Sequence, residues 1–162
     1  MAEKNESPPE SDRALEISRV FDAPRRLVYE LWTSPRHMLR WWGPRDGERD
    51  FTTPVCEMDF RPGGSYCICI RSPDGKDYWQ RGEYREIVPA ERLVFSFAWD
   101  TPGEALHDTL VTVGFADHGP NRTLLTFRQA PFDSAQGRDG HRVGWDQCLD
   151  RLAAHLAQRE IR

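Results

Sequence analysis

GWDQCLDRLAAHLAQ, residues 144–158, carries the clearest helical pattern in the chain. Large or apolar side chains recur there at steps of three and four residues, and so share one face of a helix: Trp145, Cys148, Leu149, Leu152 and Leu156. A helix with a single apolar face must bury that face against another element. The pattern therefore predicts a C-terminal helix that packs on a sheet built from residues 16–129.

The composition is that of a globular protein and excludes several classes of function. Charged residues make up 30% of the 162 positions and hydrophobic ones 38%, with a formal charge of -4. No basic stripe interleaved with aromatic residues is present, so we expect no nucleic-acid partner. No apolar run approaches the roughly 18 residues of a membrane span, and the polar N-terminus lacks the apolar core of a signal peptide. We expect a cytoplasmic protein without a membrane partner.

The first thirteen residues differ in character from the rest. They are polar, with four acidic residues and a Pro8-Pro9 pair, and cannot bury enough apolar surface to fold. We expect a disordered tail over 1–13 and a single domain over 14–159, because neither an internal repeat nor a second change in composition follows.

The elements ahead of the main sheet are predicted from alternation and from helix signals. Residues 14–21 alternate as a strand. Asp22 is expected to cap a helix that has Pro24 in its first turn. Ser34 is expected to cap a second short helix that ends at Gly43 in the left-handed conformation. Residues 45–53 are expected to form a polar loop.

Six strands are predicted to follow, separated by short segments rich in turn residues such as Pro62-Gly63-Gly64 and Asp74-Gly75. Short separators favour antiparallel neighbours. The expected strands cover residues 54–60, 65–71, 78–88, 92–99, 109–116 and 123–129.

Several phrases together resemble a known family. They are FDAPRRLVYELWTSPRHMLRWWGP, CEMDFRPGGSY, SPDGKDY, YREIVPAERLVFSF and GWDQCLDRLAAHLAQ, in that order over residues 16–158. The chain resembles the activator-of-heat-shock-ATPase homologue family of the START-like, or SRPBCC, superfamily. The resemblance implies an α+β helix-grip fold with a cavity between the sheet and the C-terminal helix. Function is set by the site and not by the fold.

The implied cavity gives a set of candidate ligand-binding residues. Alternation along the strands places an aromatic wall on one face, and the tryptophans near both helices would lie at the entrance. A flat, aromatic or lipid-like apolar ligand suits such a wall, although core packing is an alternative role for the same side chains. The candidates are Trp41, Trp42, Tyr66, Ile68, Ile70, Phe95, Phe97, Trp99, Trp145 and Leu149.

The hairpin around the turn at 61–64 predicts polar candidates. A loop of two or four residues would set Cys56 opposite Cys69 and Met58 opposite Cys67. Cys56, Met58, Phe60, Cys67 and Cys69 would then share one face, and Glu57, Asp59, Tyr66, Ile68 and Ile70 the other. The resemblance favours the Tyr66 face as the inner one, which would bring Glu57 and Asp59 to the cavity edge. A β-bulge would break this parity, and Arg61, Arg81 or Arg85 could pair with Asp59.

Four cysteines without a CxxC spacing predict reduced thiols. Their common face could hold a soft metal such as Cu(I) or zinc. Cysteines on adjacent strands without a histidine more often pack as small apolar groups. We therefore predict no metal and no cofactor.

Three functions follow from these features, and ligand binding in the cavity is the leading hypothesis. The second is interaction with a chaperone, as in the eukaryotic activators of heat-shock protein 90. Those proteins carry an additional N-terminal domain, whereas about thirteen polar residues precede the fold here, which favours ligand binding. The third is a cyclase or hydratase with Asp59 or Glu57 as general base and Arg81 or a tyrosine as electrophile.

Overall fold

The computed structural model describes residues 13–161 and consists of one large sheet, a small hairpin and three helices. The helices are α1 (Arg25–Glu30), α2 (Pro35–Trp41) and α3 (Ala135–Ile161). The strands are β1 (Leu15–Phe21), β2 (Arg45–Asp46), β3 (Arg49–Asp50), β4 (Thr52–Met58), β5 (Ser65–Arg71), β6 (Asp77–Val88), β7 (Arg92–Trp99), β8 (Thr109–Asp117) and β9 (Thr123–Ala130).

The large sheet has seven strands in the order β1-β9-β8-β7-β6-β5-β4, and every neighbouring pair is antiparallel. Strands β4 to β9 form a meander, as their short connections require. The chain then closes the other edge by pairing β1 with β9, where Ile17 lies opposite Phe127. The predicted α+β helix-grip fold, with a long C-terminal helix against an antiparallel sheet, is confirmed.

Helix α3 begins at Ala135, well before the predicted start at residue 144. The added segment contains Gly137, Gly140 and Gly144, and glycine disfavours a helix by about 1 kcal/mol per residue relative to alanine. The low helix propensity of this segment explains why the sequence pattern does not predict it as helix. Packing of the rest explains why it forms: Leu149 and Leu152 are fully buried, and each such side chain contributes about 2 kcal/mol.

The segments around α1 and α2 depart from expectation in detail. The N-cap of α1 is Pro24 without a capping side chain from any described residue, so the predicted cap by Asp22 is wrong. Ser34 is the N-cap of α2, but its hydroxyl makes no capping hydrogen bond there. The helix ends at Trp41 and its C-cap Trp42 is already extended, so Gly43, although its φ is positive at 118°, does not form the predicted left-handed helix end. The predicted loop at 45–53 contains the β2–β3 hairpin.

The predicted tail lies outside the described residues except for its last member. Arg13 accepts a hydrogen bond from the backbone N–H of Phe132 at 2.9 Å, and its Nε donates to the Phe132 carbonyl at 3.1 Å. These bonds tie the chain ahead of β1 to the segment between β9 and α3.

The β4–β5 pairing differs by one residue from the predicted one. Cys56 lies opposite Ile68, and the Asp59 N–H donates to the Ser65 carbonyl at 2.9 Å. The connection therefore covers residues 60–64, which is an odd number, and an odd connection changes which side chains share a face. The predicted pairs Cys56–Cys69 and Met58–Cys67 are wrong.

The corrected register separates the sulfur atoms between the two faces of the sheet. Cys56, Met58 and Phe60 pack against the core on the inner side with Tyr66, Ile68 and Ile70. Cys67 and Cys69 lie on the outer side, opposite Arg81 and Trp79. The predicted common face of cysteines does not exist.

One glycine permits close packing on the inner side. Gly82 lies opposite Tyr66, whose ring covers it and whose hydroxyl donates to the Ser96 carbonyl at 2.7 Å. A Cβ atom at Gly82 would lie 1.9 Å from the Ser96 carbonyl oxygen and 2.8 Å from the Tyr66 ring. Neither neighbour can move freely, because one is strand backbone and the other is hydrogen-bonded to it.

We expect Gly82→Ala to lower the free energy of unfolding by about 3 kcal/mol, because the new methyl group displaces strand backbone. Gly114→Ala is the matched control. Its Cβ would meet only the Thr126 hydroxyl, which can rotate away, so the expected cost is about 1 kcal/mol or less. Urea unfolding of both variants checks this, and equal midpoints would contradict it.

Candidate functional site

A cavity of about 500 Å³ lies between the first half of α3 and the inner face of β5, β6 and β7. Thr101 is exposed and borders it, so the cavity reaches the surface there. Its wall is mostly aromatic on the sheet side, and three glycines alternate with His141, Trp145 and Cys148 on the helix side. The lining residues are Trp42, Gly43, Pro44, Ile70, Tyr78, Gln80, Phe97, Trp99, Thr101, Gly137, Gly140, His141, Gly144, Trp145 and Cys148.

The glycines of α3 create the open space. Gly137, Gly140 and Gly144 recur at steps of three and four, so they share the helix face that borders the cavity. A Cβ atom at Gly140 or Gly144 would have no described atom within 4 Å. The helix backbone therefore forms a flat side of the cavity where larger residues would fill it.

Hydrogen bonds fix the aromatic wall at its outer end. Trp99 Nε1 donates to His141 Nε2 at 2.8 Å, and His141 Nδ1 lies 2.8 Å from the Gly137 carbonyl. An indole N–H can only donate, so His141 must accept at Nε2 and donate at Nδ1. This arrangement holds the neutral imidazole in one tautomer and links β7 to the start of α3.

A second chain of hydrogen bonds fixes the inner end. Trp145 Nε1 donates to Gln129 Oε1 at 2.9 Å, and Gln129 Nε2 donates to the Thr109 hydroxyl at 2.8 Å. Thr109 in turn donates to the Phe97 carbonyl at 2.9 Å. All of these side chains are buried, and a fully satisfied buried network specifies one arrangement of the groups it joins.

The third tryptophan is held by a buried amide. Trp42 Nε1 donates to Gln80 Oε1 at 2.8 Å. Gln80 is 5% exposed, and its amide makes one hydrogen bond among residues 13–161, the one from Trp42. Its Nε2 is not among the described buried atoms that lack a partner, so this donor is open to the cavity, which the Tyr78 and Thr101 hydroxyls also border.

Arg151 supports the cavity from behind. Its guanidinium donates to the Gly43 carbonyl at 2.8 Å and to the Trp42 carbonyl at 3.4 Å, and lies 3.6 Å from the Asp50 carboxylate. Burial lowers the pKa of Arg151, an effect partly offset by Asp50, but an arginine stays charged in a protein. The residue therefore acts as a buried cation that caps the end of α2 and holds the Trp42–Gly43 turn.

Burial also keeps the cavity thiol neutral. It raises the pKa of Cys148 to about 12 from its ordinary value of 9.0. On the inner face of β4, burial raises the pKa of Cys56 to about 11. Neutral thiols at these positions behave as small apolar groups.

The structure brings half of the predicted ligand-binding residues to the cavity and places the others in the packed interior. Trp42, Ile70, Phe97, Trp99 and Trp145 line the cavity. The other five are buried in the core and do not border the cavity. Trp41 belongs to α2, Tyr66 and Ile68 belong to β5, Phe95 belongs to β7 and Leu149 belongs to α3. Ligand contact by the first group stays a prediction.

The predicted polar candidates lie elsewhere. Glu57, Asp59 and Arg81 are exposed and line a groove on the outer face of the sheet. Asp59 is 2.9 Å from the Arg61 guanidinium, and Arg81 is 3.1 Å from Asp100. The expectation that they border the cavity is wrong, because the odd connection between β4 and β5 turns both carboxylates outward.

Sequence reasoning missed Gln80, Gln129 and His141. The signal for the two glutamines was present, since each occupies a strand position whose neighbours two residues away point inward. A polar residue at such a position must find partners in the interior. His141 was hidden by the unrecognised first part of α3.

Comparison with known proteins places the chain in a family and supports the fold. A family model described as "Activator of Hsp90 ATPase homolog 1-like protein" matches residues 22–157. No curated protein sequence matches the chain.

Within residues 13–161, no helix is both long and apolar enough to span a bilayer.

Solved structures with the same architecture come from several bacteria. A protein of Chromobacterium violaceum is 28% identical, with a TM-score of 0.78 over 88% of this chain and 95% of that one. A protein of Rhizobium leguminosarum is 26% identical, with a TM-score of 0.70 over 90% and 94% of the two chains. The AHSA1 protein of Silicibacter pomeroyi is 20% identical, with a TM-score of 0.80 over 90% and 99%.

Arg151→Ala is expected to lower the free energy of unfolding by about 2 kcal/mol, because it leaves buried carbonyls without a charged donor. Arg61→Ala serves as the control: it removes an arginine that is 67% exposed and should cost about 0.5 kcal/mol or less. Chemical denaturation distinguishes the two. If Arg151→Ala lowered the free energy of unfolding no more than Arg61→Ala does, the Trp42–Gly43 turn would be stable without the guanidinium.

The raised pKa of Cys148 predicts a loss of stability in alkali. Between pH 9 and about pH 12 the unfolded chain releases the thiol proton while the folded chain keeps it. Stability therefore falls as pH rises, by up to about 1.4 kcal/mol per pH unit for one proton. Cys148→Ala should flatten this fall in unfolding measurements from pH 8 to pH 10.5, while Cys56 contributes equally in both proteins. If the free energies of unfolding of the wild type and of Cys148→Ala fell equally with pH, Cys148 would not be a source of the alkaline loss of stability.

Proposed function

The chain belongs to the family of activator of Hsp90 ATPase homolog 1-like proteins, and on this premise we propose that its cavity binds a small, largely apolar molecule. The fold is that of a ligand-binding or interaction module in general. The finer proposal is carried by one observation: an open cavity of about 500 Å³ beside a tightly packed interior. This volume lies within the usual range of small-molecule sites.

The contrast with the rest of the interior supports the proposal. Under α1 and α2, between Trp32, Tyr66 and Phe95, the space left among the side chains is only about 10 Å³, roughly the room for one water molecule. The interior under α1 and α2 is therefore closely packed, in contrast to the space beside α3. The open space coincides with Gly140 and Gly144, whose Cβ positions meet nothing within 4 Å, so it is a local feature of the helix.

The charge and polarity of the wall support an apolar ligand. None of the described residues that line the cavity is Asp, Glu, Lys or Arg. The indole N–H groups of Trp42, Trp99 and Trp145 are bonded to protein acceptors. Aromatic faces remain for contact with a ligand, as in most small-molecule sites.

The other functions have less support. The cyclase or hydratase hypothesis relied on Glu57 or Asp59 in the cavity, and both lie on the outer face of the sheet. Interaction with the heat-shock ATPase, which the family name suggests, stays a prediction. So do the cytoplasmic location and the expectation that no nucleic acid or membrane is bound.

Filling the cavity should abolish binding without loss of the fold. Gly144→Leu places an apolar side chain in the open space and also improves helix propensity. We expect the affinity for N-phenyl-1-naphthylamine, a neutral fluorescent aromatic compound, to fall at least about tenfold. Fluorescence titration gives the affinity and circular dichroism checks the fold.

Ala157→Leu is the matched control, because it adds the same side chain at an exposed position of α3. Its affinity should equal that of the wild type. Unchanged binding by Gly144→Leu, or no binding by the wild-type protein, would overturn the proposed site for this class of compound.

A further inference from the structure

We propose that Gln80 is the polar anchor of the cavity and that the ligand is a neutral, flat aromatic molecule with a hydrogen-bond acceptor, such as a ketone oxygen. This inference rests on the proposed function and adds the chemical class of the ligand.

The anchor follows from the two ends of the Gln80 amide. Its Oε1 accepts from Trp42 Nε1 at 2.8 Å, and because an indole N–H cannot accept, the assignment of oxygen and nitrogen is fixed. Nε2 is thus a pure donor, and it bonds no described residue. It is not among the described buried atoms that lack a partner, so it is open to the cavity, where a ligand acceptor can take the place of water on it.

The indole and imidazole donors of the wall are already in use, while the hydroxyls of Tyr78 and Thr101 also border the cavity. Trp99 Nε1 donates to His141, and His141 Nδ1 donates to the Gly137 carbonyl. Trp145 Nε1 donates to Gln129. The indole and imidazole groups of the wall therefore cannot bind a ligand acceptor without breaking a protein hydrogen bond, whereas Gln80 can.

The ligand must be neutral, because the cavity offers no counter-charge. No described lining residue carries a carboxylate, an ammonium or a guanidinium group. Arg151 is close, but its guanidinium is directed to the Gly43 and Trp42 carbonyls and to Asp50. A charged ligand would lose its hydration without compensation, which is far more costly than burial of a ketone.

The ligand must also be flat. One side of the cavity is the backbone of α3 at Gly140 and Gly144, where no side chain projects. The facing wall carries Phe97 and Trp99, whose rings lie 5.5 Å apart at an interplanar angle of 87°. A planar ring system contacts a bare helix face on one side and aromatic edges and faces on the other.

Three probes of similar size test the class of ligand in the wild-type protein: 2-acetylnaphthalene, 2-ethylnaphthalene and 2-naphthoate, each measured by calorimetric titration at pH 8. One added hydrogen bond should make the ketone bind about three- to tenfold more tightly than the hydrocarbon. The anion should bind at least about tenfold more weakly than the ketone.

Gln80→Glu identifies the donor. The carboxylate keeps an oxygen that accepts from Trp42 but has no N–H group, so the preference for the ketone should vanish or reverse. Because 2-ethylnaphthalene has no acceptor, the ratio of ketone affinity to hydrocarbon affinity is compared within each protein, so a general change in the cavity cancels, and circular dichroism checks the fold. This pair of results separates a lost donor from a damaged site.

Four outcomes overturn the inference. Equal affinities of the wild type for ketone and hydrocarbon would remove the anchor and leave the proposed binding function standing. Tighter binding of 2-naphthoate would show a charged ligand. An unchanged ketone preference in Gln80→Glu would assign the donor to another group. Binding of none of the three probes, while N-phenyl-1-naphthylamine binds, would reject this ligand class alone; failure of all four compounds would reject the binding function as well.

Discussion

The hydrogen bond from Trp145 to the buried amide of Gln129 positions the long helix on the sheet. The Trp145 ring packs against Phe127 at 4.5 Å and against Trp42 at 5.2 Å between ring centres, so one side chain contacts β9 and the residue that ends α2. Apolar contact alone would permit a helix to slide or rotate. The directional bond to Gln129, itself held by Thr109, specifies one position.

Trp145 divides α3 into two halves that differ in the side chains they direct toward the sheet. Beyond Trp145 the helix face carries Leu149, Leu152 and Leu156, which are buried in the core. Before Trp145 the cavity side of the helix carries Gly137, Gly140 and Gly144, with His141 bonded to Trp99 between them. The protein thus holds an aromatic cavity open by joining a strongly packed half of a helix to a half that is rich in glycine.

The sequence predicted the parts of this arrangement that depend on periodicity. Alternation identified the strands, and the three- and four-residue steps after Trp145 identified the packed half of α3. The glycine half was missed because its own propensity opposes a helix, and only attachment to the packed half stabilises it. The positions of Glu57 and Asp59 were wrong because the parity of a hairpin depends on its loop length, and the close approach of Gly64 to Asp59, with a Cβ position 2.0 Å from the Asp59 carbonyl oxygen, is not visible in composition.

The glycines have a consequence for motion as well as for shape. Each glycine costs a helix about 1 kcal/mol relative to alanine, so the segment with Gly137, Gly140 and Gly144 opens locally at a smaller free energy than the leucine-rich segment after it. The same residues that leave room for a ligand therefore make this wall of the cavity easier to unwind than the leucine-rich segment that follows it.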